Sequence, residues 1–272
     1  MKQLIFSDLH ITEQDIQECK NILNEILSIA QNNKVEELIT LGDIFDKYNP
    51  TNEEINLFCE FLNKINVKTY IVVAPSHESI SSENNIFKHF ELLNSNIKVI
   101  YKELILDNIF FGHFTLKESL KGFNETKSIK DFKNFKYVLL GHQHTFQKIT
   151  ENIYHIGSSR WVRFDEDHNI SKKIVILDNN ELNFIDLKTP IKMIDIVFNN
   201  ENDIKSLNKN LKVRLIFKSY SALLTWLNLS EKYKNCFSKL SIKEEFEQIE
   251  VAQDFDKKTI NYKKDLLEWL EK

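Results

Sequence analysis

The stretch Gln3-Leu-Ile-Phe-Ser-Asp-Leu-His10, "QLIFSDLH", is a short apolar run that stops at a serine and then delivers an aspartate and a histidine two residues apart. Short runs of this composition, bounded by polar residues, read as buried strands. The same layout returns four times. "ELITL" runs into "GDIFD" with Asp43 and Asp46, and "TYIVV" into "APSHES" with His77. "NIFF" runs into "GH" with His113, and "YVLL" into "GHQH" with His142 and His144. Five of the 8 histidines therefore follow apolar runs. In α/β sheets the carboxyl edge of the strands is where loops converge and ligands bind.

Between the first three runs lie helical patterns. Residues 14–32 carry Ile16, Cys19, Ile22, Leu23, Ile26, Leu27 and Ala30 at spacings of three and four. Residues 53–65 repeat the pattern, with Thr51 or Asn52 placed to cap, and 82–93 form a weaker third. Strand and helix alternation predicts an α/β layered fold, parallel at its start. The later runs "NIYHI", "KIVIL" and "LNFIDL" have short connections and suggest antiparallel pairing. A change comes at Thr189-Pro190, beyond which "IKMIDIVFN" and "LKVRLIFKS" read as strands and "SALLTWLNLSEKY" and "YKKDLLEWLEK" as helices. The expected division is a main domain over 1–190 and a small α+β appendage over 191–272.

Composition narrows the function classes. The 272 residues are 42% hydrophobic, enough for a sizeable core, and no apolar run is long enough to span a membrane. The 3 cysteines are scattered without a C-x-x-C spacing, which argues against a disulfide framework or a thiolate metal site and fits a reducing, cytoplasmic setting. A net charge of -4 advertises no global basic field for nucleic acid, although a local patch around a metal would suffice.

Each polar fragment alone is ordinary: an isolated Asp-x-His is usually a turn, and an isolated Gly-Asp usually a tight turn. Five in order, each at a strand end, are not. Carboxylates mixed with imidazoles suit a borderline divalent ion such as Mn2+, Fe2+ or Zn2+. There are ligands enough for two ions sharing a carboxylate. Such a pair, about 3.5–4 Å apart, clamps the attacking and leaving oxygens of phosphoryl transfer.

In order and spacing these blocks resemble the calcineurin-like metallophosphoesterases, whose pattern is D-x-H, G-D-x-x-D, G-N-H-[DE], G-H and G-H-x-H, here over about residues 4–145. The resemblance implies a layered β-sandwich flanked by helices. It implies that Asp8, His10, Asp43 and His144 bind one metal, that Asp43 bridges, and that His113 and His142 bind the second. His77 would orient the phosphate and act as general acid, with Glu78 holding its imidazole. Asp46 would have a supporting role, and His89, His155 and His168 fall outside the pattern.

The chain departs from the family at Pro75-Ser76, where the pattern has Gly-Asn. Ser76 offers a hydroxyl on a shorter arm in place of an amide carbonyl, so the second metal should bind more weakly, while every other ligand is retained. The segment "IYHIGSSRWVRFDED", residues 153–167, is similar to one in the SbcD-like DNA repair and recombination nucleases and their phage counterparts. In that branch the appendage position holds a DNA-contacting cap. A C-terminal segment there docks on an SMC-like coiled-coil ATPase, and the subunits are commonly homodimers.

Arg160, Trp161 and Arg163 have two readings: a cluster that grips phosphates and stacks on a base, or a strand with a buried tryptophan. The terminal helix either meets a partner or packs on its own domain. The implied function is a dinuclear, Mn2+-dependent DNA exo- or endonuclease subunit. The alternatives are a phosphatase or phosphodiesterase on a small or nucleotide substrate, and a catalytically weak subunit that binds DNA or a partner.

Overall fold

A computed structural model describes residues 1–74, 86–120, 125, 127–207 and 210–246. Its element order begins β1 (Lys2–Phe6), α1 (Ile16–Asn33), β2 (Glu37–Leu41), α2 (Asn52–Ile65), β3 (Lys68–Val72), α3 (Phe87–Leu93) and β4 (Ile97–Ile100). These four strands run parallel, joined by the three helices as right-sized crossovers. Alternation along each strand sorts the core. Leu4, Phe6, Leu38 and Ile71 face the helices and meet Cys19, Ile22, Ile26, Phe58 and Leu62. Ile5, Ile39, Leu41, Tyr70 and Val72 face the other way.

What they face is a second sheet. It holds β5 (Leu104–Leu106), β6 (Ile109–His113), β7 (Tyr137–Gly141), β8 (Gln147–Lys148) and β9 (Ile153–His155), in the order β5-β6-β7-β9-β8. Leu104, Ile109, Phe111, Leu139, Tyr154 and Ile156 complete the layer between the sheets. The outer face of the second sheet, with Phe110, Val138, Leu140 and Ile153, is covered by Leu116 and Phe132. β10 (Lys173–Asp178) and β11 (Glu181–Asp186) then return to the first sheet, giving it the order β11-β10-β1-β2-β3-β4. The result is the expected α/β sandwich with helices on its flank.

The starts expected for the first two helices lie within two residues of those observed, and the start expected for the third, residue 82, lies outside the described residues. Thr51 caps α2 in a reciprocal capping box, its hydroxyl accepting from Glu54 N while the Glu54 carboxylate accepts from Thr51 N at 2.7 Å. The expected antiparallel pairing of the later strands holds for β10 and β11 and for β9 against β8, and is corrected only where β9 meets β7. β10 pairs antiparallel with β1 and β11, while β6, β7 and β9 are parallel to one another. The connection 114–136 is long enough to cross the outside of the sheet and return to the same edge.

Past residue 190 a third sheet forms from β12 (Met193–Val197), β13 (Lys212–Phe217) and β14 (Lys239–Glu244), all parallel, with α4 (Asn202–Lys205) and α5 (Tyr220–Tyr233) as crossovers. It has its own apolar cluster around Phe198, Leu215, Phe217 and Trp226. Four charged side chains tie it to α1. Lys212 at the start of β13 reaches Asp15 at 2.9 Å and Glu18, and Arg160 reaches the same two carboxylates at 2.9 and 3.3 Å. The helix expected over the last eleven residues lies outside the described residues, and among those described no helix is long and apolar enough to cross a membrane.

Candidate metal centre

The loops after β1 and β2 are zipped together by backbone hydrogen bonds from Asp8 N to Gly42 O at 3.0 Å and from His10 N to Asp43 O at 2.9 Å. That register places Asp8, His10 and Asp43 on one edge. All three have left-handed backbone, with φ of 49°, 48° and 49°, and His142 joins them at 75°. A non-glycine residue in this region costs on the order of 1–3 kcal/mol and persists where its surroundings impose it, characteristically at functional sites. Here four such residues all present side chains to one place.

Two groups form. Asp8, His10 and His144 bring one ligand atom each within 4.8 Å of one another, and so do Asp43, His113 and His142. In the first, His10 Nε2 and His144 Nε2 are 3.2 Å apart, and His144 Nε2 is 3.7 Å from Asp8 Oδ1. In the second, His113 Nε2 lies 3.2 Å from His142 Nδ1 and 3.3 Å from Asp43 Oδ2. The same Asp43 oxygen is 3.7 Å from His10 Nε2, so Asp43 stands between the groups. The carboxylates of Asp8 and Asp43 are buried, as are His10 and His113, while His144 is half-buried and His142 is exposed.

Electrostatics favour a cation here. Burial alone would push the His113 imidazole down, but the Asp8 and Asp43 carboxylates and the Leu41 carbonyl raise it to about 9. The negative field that holds a proton on His113 equally suits a metal ion, which would displace that proton. His142 is shifted the other way, by partial desolvation of its ring where it faces the site and then by its neighbour His113. Two buried carboxylates and four converging imidazoles are hard-to-borderline donors, the set expected of divalent ions such as Mn2+, Fe2+ or Zn2+.

The ring nitrogens facing away from the groups are also held. His113 Nδ1 meets the Leu41 carbonyl at 2.5 Å. His10 Nδ1 lies 3.3 Å from Asp46 Oδ1, which gives Asp46 its supporting place. His144 Nδ1 lies 3.4 Å from Glu166 Oε1. His155 is a core residue, its Nε2 2.7 Å from Ser119 Oγ and its Nδ1 3.1 Å from Gly141 O. His89 is exposed and His168 half-buried.

Other expectations fare differently. Ser76, His77 and Glu78 lie outside the described residues. Of the expected DNA contacts, Arg160 and Trp161 are corrected, because both are buried, at 2% and 3% exposure. The Arg160 guanidinium is consumed by Asp15, Glu18 and the Leu9 carbonyl, the last at 3.0 Å, and so presents nothing to a phosphate. Arg163 is on the surface, paired with Asp165 at 3.2 Å. Sequence reasoning missed Glu166 and Lys172, a buried ion pair behind His144. The only signal for Glu166 was its acidic place at the end of the glycine-serine segment.

Among solved structures, the TT1561 protein of Thermus thermophilus is 12% identical, with a TM-score of 0.45, over 69% of this chain and 99% of its own. The Pseudomonas putida nuclease MPE is also 12% identical, with a TM-score of 0.40, over 67% of this chain and 87% of its own. No curated protein matches in sequence. The family model for calcineurin-like phosphoesterases matches residues 1–146, the span that carries all five motif blocks. With more than half its length in that match and its carboxylates and imidazoles gathered at one edge, the chain belongs to the calcineurin-like phosphoesterases, a family of metal-dependent phosphoesterases.

Proposed function

We propose that this chain is a dinuclear-metal phosphodiester hydrolase acting on DNA, the nuclease subunit of a repair or recombination machine. The observation that carries the hydrolase reading is Asp43, one carboxylate within 3.7 Å of a histidine from each of two ligand groups. In this reading Asp8, His10, Asp43 and His144 hold one ion, and Asp43, His113 and His142 the other. Two divalent ions, Mn2+ being the expected one, would supply Lewis-acid activation of the phosphoryl group and of the attacking water. The chain's own residues do the rest. The buried carboxylates would balance the ions' charge, and, as the family resemblance implies, His77 would protonate the leaving oxygen with Glu78 supporting its imidazole.

The DNA substrate rests on the similarity of residues 153–167 to the SbcD-like nucleases. So do an SMC-like ATPase partner that feeds DNA ends, and a homodimer. Ser76 in place of asparagine favours a second reading, in which the weaker second metal leaves a subunit that chiefly binds DNA or its partner.

The test incubates the pure protein with linear double-stranded DNA, with and without Mn2+, alongside His77→Ala and Ser76→Asn. Mn2+-dependent nucleotide release that disappears in His77→Ala is the expected result. Release by Ser76→Asn alone would favour the binding subunit. Hydrolysis of a small phosphodiester with no DNA cleavage by any form, even with the ATPase present, would overturn the nuclease reading.

A further inference from the structure

Behind the first ligand group sits a buried assembly that the phosphoesterase motifs do not contain. Glu166 is 5% exposed and Lys172 4%. The Glu166 carboxylate collects the backbone N–H groups of Val162 at 2.8 Å and Arg163 at 2.7 Å on Oε1, and the Lys172 ammonium on Oε2. His144 Nδ1 also faces Oε1, at 3.4 Å. Lys172 and Ser158 hold the other end of the same residue. The Lys172 ammonium donates to the His144 carbonyl at 3.0 Å, and so does Ser158 N at 2.9 Å. His144 is thus gripped by its ring and by its backbone, while its Nε2 points at His10 and Asp8.

We propose that Glu166 is a positioning residue for the metal centre: it accepts a hydrogen bond from His144 Nδ1 and thereby fixes the tautomer whose Nε2 lone pair faces Asp8 and His10. A carboxylate behind a ligating histidine orients the ring and raises its basicity, and losing it typically weakens metal binding about 10–100-fold. The second group is built differently, for His113 Nδ1 meets only a neutral carbonyl. Glu166 therefore acts on one ion of the two. Lys172, buried against Oε2, balances the charge of the carboxylate inside the protein, and the Val162 and Arg163 amides fix the direction of Oε1.

This inference rests on the metal reading above, and the experiment separates the two. Mn2+ is titrated calorimetrically into the full-length wild type, His144→Ala, Glu166→Gln and the charge-balanced double variant Glu166→Gln/Lys172→Met, with circular dichroism as the check on folding. The wild type should bind two ions, and His144→Ala should lose one. Glu166→Gln and the double variant should weaken that same ion about 10–100-fold and leave the other unchanged. The visible spectrum of the Co2+ form should shift with them, a change that a merely structural role would not produce.

Wild-type affinity for both ions in a folded Glu166 variant overturns the positioning role and leaves the metal reading standing. Absence of binding by the wild type overturns both. Should neither variant fold, the Zn2+-loaded wild type decides: a proton on His144 Nδ1 in 15N spectra, assigned through His144→Gln, supports the proposal. Metal on Nδ1 refutes it.

Discussion

Replacing Arg160 with methionine tests whether the segment after the last motif reads DNA or holds the fold. The guanidinium is 2% exposed and bonds Leu9 O at 3.0 Å, Asp15 at 2.9 Å and Glu18 at 3.3 Å. Together with Lys212 it balances two carboxylates with two cations. Burial would raise the Asp15 carboxyl, and Arg160 and Lys212 hold it below its usual range. In Arg160→Met the apolar stem still packs, but Lys212 is left facing both acids and one negative charge stays buried without compensation. Breaking a buried pair in this way costs about 3–5 kcal/mol. The methionine stem brings the expectation to the lower half of that range, about 3–4 kcal/mol. A chain of 272 residues unfolds with an entropy of about 0.6 kcal/mol/K, so Tm should fall by about 5–7 °C. The assay is a thermal scan without DNA. A Tm within about 1 °C of wild type, joined to weaker DNA binding whose salt slope drops by about 1, would refute the structural role.

Two further outcomes follow from the centre and its surroundings. His155 is buried and its imidazole is pushed down to about 4 by burial, against the pull of the Gly141 carbonyl. The unfolded chain then takes up a proton that the folded one refuses, so stability should fall by about 3 kcal/mol as pH drops from about 6.5 to about 4. Urea denaturation across that window should show this slope and lose it in His155→Gln; an unchanged slope would refute the assignment. Gly42 has φ of +86°, and a Cβ there would lie 2.5 Å from His113 Nδ1. Gly42→Ala should push His113 off the Leu41 carbonyl and leave one bound ion where the wild type holds two, and calorimetric titration giving two ions of unchanged affinity would show that the ring can yield.

The residues that converge were legible because their signal is local. Asp8, His10, Asp43, His113, His142 and His144 each follow an apolar run within a few positions, and a strand end fixes direction as well as location. The Thr51–Glu54 capping box was legible for the same reason, since its two partners are three residues apart. The parallel pairing of β6, β7 and β9 was not, because strand composition does not report which way a connection returns. Nor were Glu166, Lys172 and Arg160. Charged side chains read as solvated by default, and what makes these three buried is partners far away along the chain, such as Arg160 with Glu18. The left-handed backbone at Asp8, His10 and Asp43 carries only a weak sequence mark, since aspartate and histidine enter that region more often than most residues but far less readily than glycine.

The four-charge cluster has a mechanical consequence. From Lys212 on β13 it runs through Asp15 and Glu18 to Arg160, and from Arg160 to the carbonyl of Leu9, the residue between Asp8 and His10. Every link is a short polar bond, most of them between full charges, in a place where water cannot substitute for either partner. A load pulling the third sheet away from α1 would thus be carried to the loop bearing Asp8 and His10 before it could part the two bodies. Whatever grips the third sheet has a taut line to the metal ligands, and slack in that line requires first admitting solvent to Lys212.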